Sequence, residues 1–356
     1  MRVRGLFDLE FRYQSLSKFG DPLEKLSALI DFEIFRAPFE KAMGLVPSPK
    51  GGRPAYDAVL MMKILALQML YNLSDDQMEF HIKDRLTFMR FLGLKMHDSV
   101  PDAKTIWLYR ERLSRKGIMK TLFQAFDQAI RDQGYLAMGG QIIDASIIKA
   151  PRQRMSQEEK TLVKEGITPP EWEKHPAKNA QKDKDARWTV KYTKAKGENA
   201  VDLAIPEYGY KNHVGIDQKH GLIRTYEVTS ASCYDGHKLE EVLDPTNTAS
   251  AVWADSAYRS QENEKMLADK GYTSHIHRKK PKAKPMPKNI AKANHKKSLI
   301  RAKVEHVFAH TKHHGKLFIR TIGLKRAEVK IGLANLVYNM KRFIFLQRRP
   351  SQEQCV

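Results

Sequence analysis

Apolar residues recur at helical spacing through the first third of the chain. Between residues 21 and 45, Leu23, Leu26, Leu29 and Ile30 form one such stripe, as expected for a helix with one buried face. Similar periodicity, or a strongly apolar run, marks four further segments: residues 56–71, 73–94, 100–117 and about 118–133. The pattern therefore predicts an all-α N-terminal region.

Polar residues at the ends of these segments support their assignment as helices. Ser74 and Asp102 stand where N-caps are expected, and Gly93 stands where a helix is expected to end. The segment 100–117 also carries Arg110 among several basic residues. Two interpretations of the region stay open: a helix-turn-helix type module whose basic helix faces DNA, and a plain helical bundle.

From Gln141 onward the pattern changes to strands alternating with helices. Residues 140–150 form a short β-branched run, and residues 208–232 predict two strands joined by a turn at Lys219–Gly221. Residues 151–200 are polar and charged with both signs, which indicates a long excursion from the core. The remaining predicted elements are helix 235–243, strand 250–258, helix 260–272, strand 273–279 and helices at about 298–313 and 325–346. This order is that of a mixed α/β domain with helices on both sides of its sheet.

The charge of the chain narrows the range of functions. Its 356 residues carry a net charge of +21 and are 42% hydrophobic, which fits a folded protein with polyanionic partners. Lys and Arg are spread along the whole chain, which favours nucleic acid over a membrane surface. Two cysteines are too few for a disulfide framework, and the most apolar run, residues 58–71, is too short to span a bilayer. We therefore expect a cytoplasmic protein of a reducing compartment, with no membrane partner.

Three carboxylates stand out against this pattern. Asp144 interrupts an apolar strand, and Asp255 ends another. Glu305 is the only acid between Lys270 and Ala327, a stretch with seventeen Lys and Arg residues. Burying an unpartnered carboxylate is costly. Each acid has a structural interpretation, as an N-cap, a satisfied acid, or, for Glu305, an i,i+4 salt bridge with Arg301. The alternative is a cage of three carboxylates for two divalent cations, with Arg301 and Lys312 holding phosphate groups beside it.

The motifs around these carboxylates resemble those of a known family. The segments IIDAS and WADSAYRS are similar to the strands that carry the family's two Asp residues, and RAKVEHVFAHTK fits the R-x3-E-x6-K signature around its Glu. DARWTVKY, YGYKNHVGID and the N-terminal stretch from GGRPAY to RFLGL are also similar. Over roughly residues 20–345 the chain resembles bacterial insertion-sequence transposases of the DDE type, in the insertion-sequence-5 branch. One position departs from the signature, because Ser298 stands where the family has Tyr.

The resemblance implies a fold class, a cofactor and partners. It implies an α/β, RNase H-like catalytic domain with a mixed sheet, preceded by an all-α N-terminal domain. It implies two Mg²⁺ (or Mn²⁺) ions, with Asp144, Asp255 and Glu305 as catalytic and metal-binding residues. It also implies double-stranded DNA as the partner, both terminal inverted repeats and target DNA, and action at the nucleoid as a homodimer or higher oligomer.

Several further residues are predicted to lie at or near the DNA. The basic run 278–303 holds eleven positive residues and no acid, and is expected to bind backbone phosphates. Asp235 and His237 lie either near the active site or simply at the start of a helix. For Tyr258, packing at a strand edge is an equal alternative. The predicted DNA-binding residues are Arg301, Lys312, Arg259, Tyr258, Lys279, Lys280, Lys297 and Arg110.

The predicted organisation has two domains and a tail. A helical DNA-binding or oligomerisation domain spans residues 1–135, a catalytic domain with a polar insertion at about 151–200 spans 136–348, and the tail is 349–356. The predicted function is Mg²⁺-dependent cleavage at the element ends, followed by attack of the released 3′-OH on target DNA. Two alternatives stay open: a metal-dependent nuclease or resolvase that does not join strands, and a DNA-binding regulator without chemistry.

Overall fold

Helices fill the N-terminal part of the chain, as the apolar periodicity predicts. The structure is a computed structural model that describes residues 7–44, 54–193, 203–281, 284–314 and 317–348. The N-terminal helices are α1 (Asp8–Lys18), α2 (Pro22–Leu29), α3 (Arg36–Met43), α4 (Ala58–Tyr71), α5 (Asp75–Asp84), α6 (Leu86–Leu92), α7 (Ala103–Lys116) and α8 (Met119–Asp132). The predicted all-α region is confirmed.

The ends of these helices follow the predicted capping residues. The side chains of Ser74 and Asp102 accept hydrogen bonds from backbone N–H groups in the first turns of α5 and α7. Gly93 ends α6 with a φ of 74°, a left-handed conformation that favours glycine. The single helix predicted over residues 73–94 is wrong, because Arg85 adopts an extended conformation and separates α5 from α6.

Helix α4 forms the centre of the helical core. A helix that is apolar on every side is expected to be surrounded by protein. The side chains along α4 that are completely buried are those of Met61, Met62, Ile64, Leu65, Ala66 and Leu67. Phe39 of α3 is also fully buried, and its ring stacks on Tyr109 of α7 with centroids 6.0 Å apart. The helices around α4 thus bury their apolar stripes against it.

One mixed sheet follows residue 140. Its strands are β1 (Gln141–Lys149), β2 (Arg187–Thr193), β3 (Leu203–Asp217), β4 (Ile223–Ser230), β5 (Ala251–Trp253) and β6 (Thr273–Ser274). Strand β1 pairs with β3 antiparallel and with β5 parallel, while β6 continues the sheet parallel to β5. Strand β3 also pairs antiparallel with β4 and, through its first half, with β2. The order β4–β3–β1–β5–β6 confirms the RNase H-like mixed sheet.

Helices and short turns alternate with these strands and follow them along the chain. The helices are α9 (Gln157–Lys164), α10 (Pro170–Glu173), α11 (Pro176–Ala180), α12 (Gln261–Asp269), α13 (Lys288–Arg301), α14 (Lys303–Ala309) and α15 (Leu324–Gln347), and a π-helical turn spans His310–His314. The helix predicted over 235–243 is instead two 3₁₀ turns, Asp235–Lys238 and Glu240–Val242. Ile143 of β1 packs with Val242, Tyr258 and Leu267 in an apolar cluster.

The polar insertion has structure of its own. Within residues 151–193 it forms α9, α10, α11 and β2. Trp172 of α10 is completely buried, and its indole N–H donates a hydrogen bond to Glu159 at 2.7 Å. The insertion therefore has a small core around one aromatic ring. Residues 194–202 lie outside the described residues.

The chain divides into two compact units. The first consists of Met1–Gly134 with Gly332–Val356, and the second of Tyr135–Ile331. The sequence-based division placed residues 332–348 with the catalytic domain, whereas the compact units group them with the N-terminal helices. The predicted tail lies outside the described residues. Among the helices of the described ranges, none is long and apolar enough to cross a membrane.

Candidate active site

Two of the predicted acids lie on neighbouring segments, one within β1 and one just past the end of β5. Where β1 pairs with β5, Ile142 lies opposite Trp253. Asp144 and Asp255 each follow that pair by two residues, so parallel pairing brings them to the same level. Asp255 lies just past the end of β5, at the carboxyl edge where α/β sheets commonly build their sites.

Backbone hydrogen bonds anchor both carboxylates. Asp255 accepts one from the N–H of Ala257 at 2.7 Å and so caps the 3₁₀ turn Ser256–Tyr258. Asp144 accepts one from the N–H of Ala145 at 2.9 Å. Asp255 is therefore an N-cap, as one of the two open interpretations expected. The cap accounts for one carboxylate oxygen, and a catalytic role for Asp255 stays a prediction.

Arg301 links the first Asp to the predicted Glu. Its guanidinium Nη1 lies 2.5 Å from Oδ2 of Asp144, and its Nη2 lies 3.7 Å from Oε1 of Glu305. The side chain of Asp144 is 16% exposed and that of Arg301 22%, whereas that of Glu305 is 65% exposed. The predicted salt bridge between Arg301 and Glu305 is thus present, but it is long and exposed. The contact between Arg301 and Asp144 is shorter and more buried.

Burial and neighbouring charge keep Asp144 poorly stabilised as an anion. The pKa of Asp144 is raised to about 6, chiefly by burial and in smaller part by the nearby carboxylates of Asp255 and Asp235. The guanidinium of Arg301 and the hydrogen bond from Ala145 oppose this shift. The elevated pKa indicates that Asp144 remains short of positive charge even with Arg301 beside it.

The donor set fits a divalent cation, although the ligands are not assembled around one point. Within the described ranges, no group of three His, Cys, Asp or Glu side chains is placed to hold a metal ion. Carboxylate oxygens are the ligands that Mg²⁺ prefers, and the guanidinium beside Asp144 shows that this position accepts a cation. Backbone hydrogen bonds anchor Asp144 and Asp255, whereas the side chain of Glu305 is exposed and makes only a long contact with Arg301 among the described residues.

The helix that carries Glu305 is interrupted twice. A single helix over residues 298–313 was expected, but α13 ends at Arg301, α14 spans Lys303–Ala309, and a π-helical turn follows. The apolar stripe survives, because Val304 and Val307 are fully buried. The three residues expected on the opposite face do not share one environment. Arg301 contacts Asp144, whereas Lys312 has other charged neighbours.

Lys312 lies in a different charged group from the three acids. It is half-buried, and burial lowers its pKa together with the nearby cations Lys191 and Lys149, while Glu207 opposes the shift. Glu207 itself forms salt bridges with Lys149 at 3.1 Å and with Lys191 at 3.7 Å. A phosphate contact by Lys312 stays a prediction, at a site separate from Arg301.

One predicted DNA contact is wrong. Tyr258 is completely buried in the apolar cluster with Ile143 and Leu267, so its side chain is not placed to touch DNA. The alternative of a packed aromatic residue is the correct one. Its hydroxyl has no hydrogen-bond partner, and burial raises the pKa of Tyr258 well above its usual value, with Asp144, Asp235 and Asp255 adding to the shift. The side chain of Tyr258 thus lies in the apolar cluster and close enough to these three carboxylates to feel their charge.

Other predicted DNA contacts already have partners within the protein. Arg259 pairs with Glu264 at 3.3 Å, and Lys297 donates to the carbonyl oxygen of Ile276 at 3.1 Å. Arg110 makes a two-pronged contact with Asp75, with distances of 2.6 and 2.7 Å. These contacts position the side chains within their own units. In contrast, Lys279 and Lys280 are exposed to solvent.

The sequence reasoning missed two residues near the acids. Lys211 donates a hydrogen bond to Oδ1 of Asp235 at 2.8 Å, and the buried ring of His213 lies 4.0 Å from the same oxygen. His213 lies opposite Ala145 across β1 and β3, one position from Asp144. Both residues are on alternate positions of β3, and that periodicity was the available signal. His237, in contrast, is exposed.

Asp144 and His213 predict opposite effects of pH on stability. Burial lowers the pKa of His213 to about 4, so the unfolded chain takes up this proton first and acidification destabilises the fold. Asp144 has a folded pKa of about 6, above its usual value of 3.8, so the folded chain takes up this proton first and acidification stabilises it. From pH 7 to pH 5 we expect roughly 2 kcal/mol lost through His213 and roughly 1 kcal/mol gained through Asp144.

Urea unfolding at pH 7, 6 and 5 in EDTA separates the two effects. His213→Gln should remove the destabilising effect, so its stability falls less on acidification than that of the unmodified chain, or rises. Asp144→Asn should show the reverse. If both variants follow the pH dependence of the unmodified chain in parallel, the assigned pKa directions are wrong.

The fold and the acids together define a class of protein. A mixed RNase H-like sheet with two carboxylates at neighbouring strand positions, in a chain of net charge +21, is typical of enzymes that act on the phosphates of nucleic acids. The profile of the "Transposase DDE domain" family matches residues 136–340, more than half of the chain. A second profile, "Transposase domain (DUF772)", matches residues 11–112. The chain therefore belongs to the DDE transposase family and is a DNA transposase, an enzyme that cleaves and transfers DNA strands.

One solved structure is also similar. It is described as a cryo-EM structure of a piggyBac transposase synaptic complex with hairpin DNA. The alignment covers 92% of this chain and 75% of that one, with 12% sequence identity and a TM-score of 0.42.

Proposed function

We propose that this transposase binds the terminal inverted repeats of an insertion sequence and cleaves and transfers DNA strands at Asp144, Asp255 and Glu305. The observation that supports this most is that Asp144 in β1 and Asp255, just past β5, each follow the paired residues Ile142 and Trp253 by two positions. Arg301 joins the third acid to the first. The cofactor in this proposal is Mg²⁺ or Mn²⁺, two ions per active site.

The three acids have different parts in holding the ions. When bound, divalent ions stabilise the charge on the attacking and leaving oxygens of an in-line phosphoryl displacement. Asp144 and Asp255 are the fixed ligands, because a backbone N–H holds one oxygen of each. Glu305 is the movable ligand, since its side chain is exposed and its link to Arg301 is 3.7 Å long.

The exposed face of α13 supports DNA binding beside these acids. Lys288, Lys292 and Lys296 recur every four residues and are exposed, so they share one face of the helix. None of the residues of α13 is buried. Arg301 ends this helix and contacts Asp144. In this proposal the lysines bind backbone phosphates without reading sequence, and they position the DNA backbone near Arg301.

A strand-transfer assay tests the proposed reaction. The purified full chain is incubated with pre-cleaved element ends, a plasmid target and Mg²⁺. We expect joined product that disappears when EDTA replaces Mg²⁺. Cleavage of uncut ends without any joined product would identify a nuclease or resolvase. Binding of the ends without cleavage or joining would identify a regulator, and either result contradicts the proposal.

Two wider features belong to the same proposal. Transposition acts on two element ends, so the active form is at least a homodimer that holds both. The substrate of the enzyme is chromosomal or plasmid DNA, so in this proposal the enzyme acts at the bacterial nucleoid. Crosslinking in the presence and absence of paired ends measures the first point, and a chain that stays monomeric on paired ends would contradict it.

A further inference from the structure

Arg301 has an unusual set of contacts for a residue that only binds DNA. Its guanidinium holds Asp144 at 2.5 Å and reaches toward Glu305 at 3.7 Å. Its third nitrogen, Nε, is buried and has no hydrogen-bond partner. A fully built structural salt bridge satisfies all of these donors. The guanidinium thus binds two of the proposed metal ligands while one of its own donors is unsatisfied.

The local backbone places Arg301 between these two acids. Arg301 is the last residue of α13, and Glu305 lies in the first turn of α14. Ala302 separates the two helices, and its carbonyl oxygen accepts a hydrogen bond from the N–H of Glu305 at 3.1 Å. The guanidinium therefore spans from the fixed Asp on β1 to the exposed Glu on a separate helical segment.

We propose that Arg301 is the resident counter-cation of the carboxylate site, held between Asp144 and Glu305 until a divalent cation displaces it onto a DNA phosphate. This inference rests on the proposed function, because it takes Asp144 and Glu305 as metal ligands. A guanidinium suits the exchange, since its planar fork matches the geometry of both carboxylates and phosphates. Arg301 is then a positioning residue.

The exchange makes the binding of metal and the binding of DNA interdependent. Without DNA, Arg301 competes with the divalent cation for Asp144, so it lowers the affinity for metal. A DNA phosphate that binds Arg301 removes this competitor, so DNA raises the affinity for metal. Because such coupling is reciprocal, the metal also raises the affinity for DNA. The carboxylates thus receive the metal most readily when the substrate is present.

Titration of the full chain with Mn²⁺ alone, followed by electron paramagnetic resonance, tests the inference. Arg301→Gln is expected to bind Mn²⁺ at least about tenfold more tightly than the unmodified chain in the absence of DNA. A short DNA duplex should tighten Mn²⁺ binding to the unmodified chain and have little effect on the variant. The matched control, for the titration without DNA, is Lys303→Gln, which removes an equal charge two residues away, where the ammonium donates to the exposed carbonyl oxygen of Gln218 at 2.9 Å.

Two results would overturn the inference. Unchanged Mn²⁺ affinity in Arg301→Gln would mean that the residue only contacts DNA, and weaker affinity would mean that it organises the metal ligands. If Arg301→Gln does not fold, Arg301→Lys serves instead, because it keeps the charge but not the fork, and its affinity should again exceed that of the unmodified chain. Asp144→Asn distinguishes the two proposals, since unchanged Mn²⁺ binding in that variant contradicts the metal site itself.

Discussion

Asp144→Asn is expected to lower the rates of DNA cleavage and strand transfer by at least about 100-fold, while DNA binding is retained. Loss of groups that merely support metal ligands costs 10–100-fold in general, and loss of a ligand should cost no less. The substitution also removes the charge that Arg301 holds at 2.5 Å, so Arg301 gains freedom to bind phosphate. A cleavage assay on labelled element ends, with a gel-shift assay on the same DNA, measures both quantities.

Glu262→Gln is the matched control for this experiment. It removes one carboxylate from the exposed surface of α12, in the same unit of the fold. We expect cleavage at the rate of the unmodified chain. Asp255→Asn and Glu305→Gln should behave like Asp144→Asn, with binding retained. Cleavage at the normal rate by all three variants would mean that these acids do not form the active site.

Asp217→Ala is expected to destabilise the catalytic unit by about 3–5 kcal/mol, because it removes the carboxylate that neutralises a buried guanidinium. Asp217 and Arg224 are joined at 3.0 Å, and both side chains are almost completely buried. Asp217 also accepts backbone hydrogen bonds from His220 at 2.6 Å and Leu222 at 3.2 Å. The substitution therefore removes the anion and the acceptor that together close the turn between β3 and β4.

Urea unfolding monitored by tryptophan fluorescence measures this loss. The control is Glu240→Ala, which breaks the exposed salt bridge with Lys270 at 2.6 Å. Exposed ion pairs contribute about 1 kcal/mol or less, so this variant should remain close to the unmodified chain. A loss of similar size in both variants would contradict the importance of the buried pair. Asp217→Asn should lie between them, because it keeps acceptor capacity without charge.

Local patterns predicted the helix caps and several elements of this fold. Ser74 and Asp102 cap helices as expected, because capping depends on residues within one turn. The apolar run 56–71 predicted the helix that forms α4 for a similarly local reason. The two acids on strands were also recognisable, since a carboxylate within an apolar run conflicts with its surroundings. Features that depend on a few neighbouring residues could thus be predicted from the sequence.

Contacts between distant parts of the chain could not be predicted in the same way. Arg301 and Asp144 are 157 residues apart, and their contact depends on how α13 lies on β1. The same applies to Tyr258, whose short motif suited either a DNA contact or a core position. Its burial depends on the packing of β1 and α12 around it. The breaks in the helix before and after α14 likewise could not be predicted, because no proline or glycine lies between Arg301 and His314.

The division of the chain into units has a consequence for the order in which the protein is made. The first unit contains residues from both before and after the second unit, and its later part begins at Gly332. A ribosome therefore produces every residue of the sheet, and all three acids, before it produces Leu333, Leu336 and Phe343, which are buried in the finished protein. During synthesis, the residues of the catalytic sheet are complete before the helical unit has its last helix.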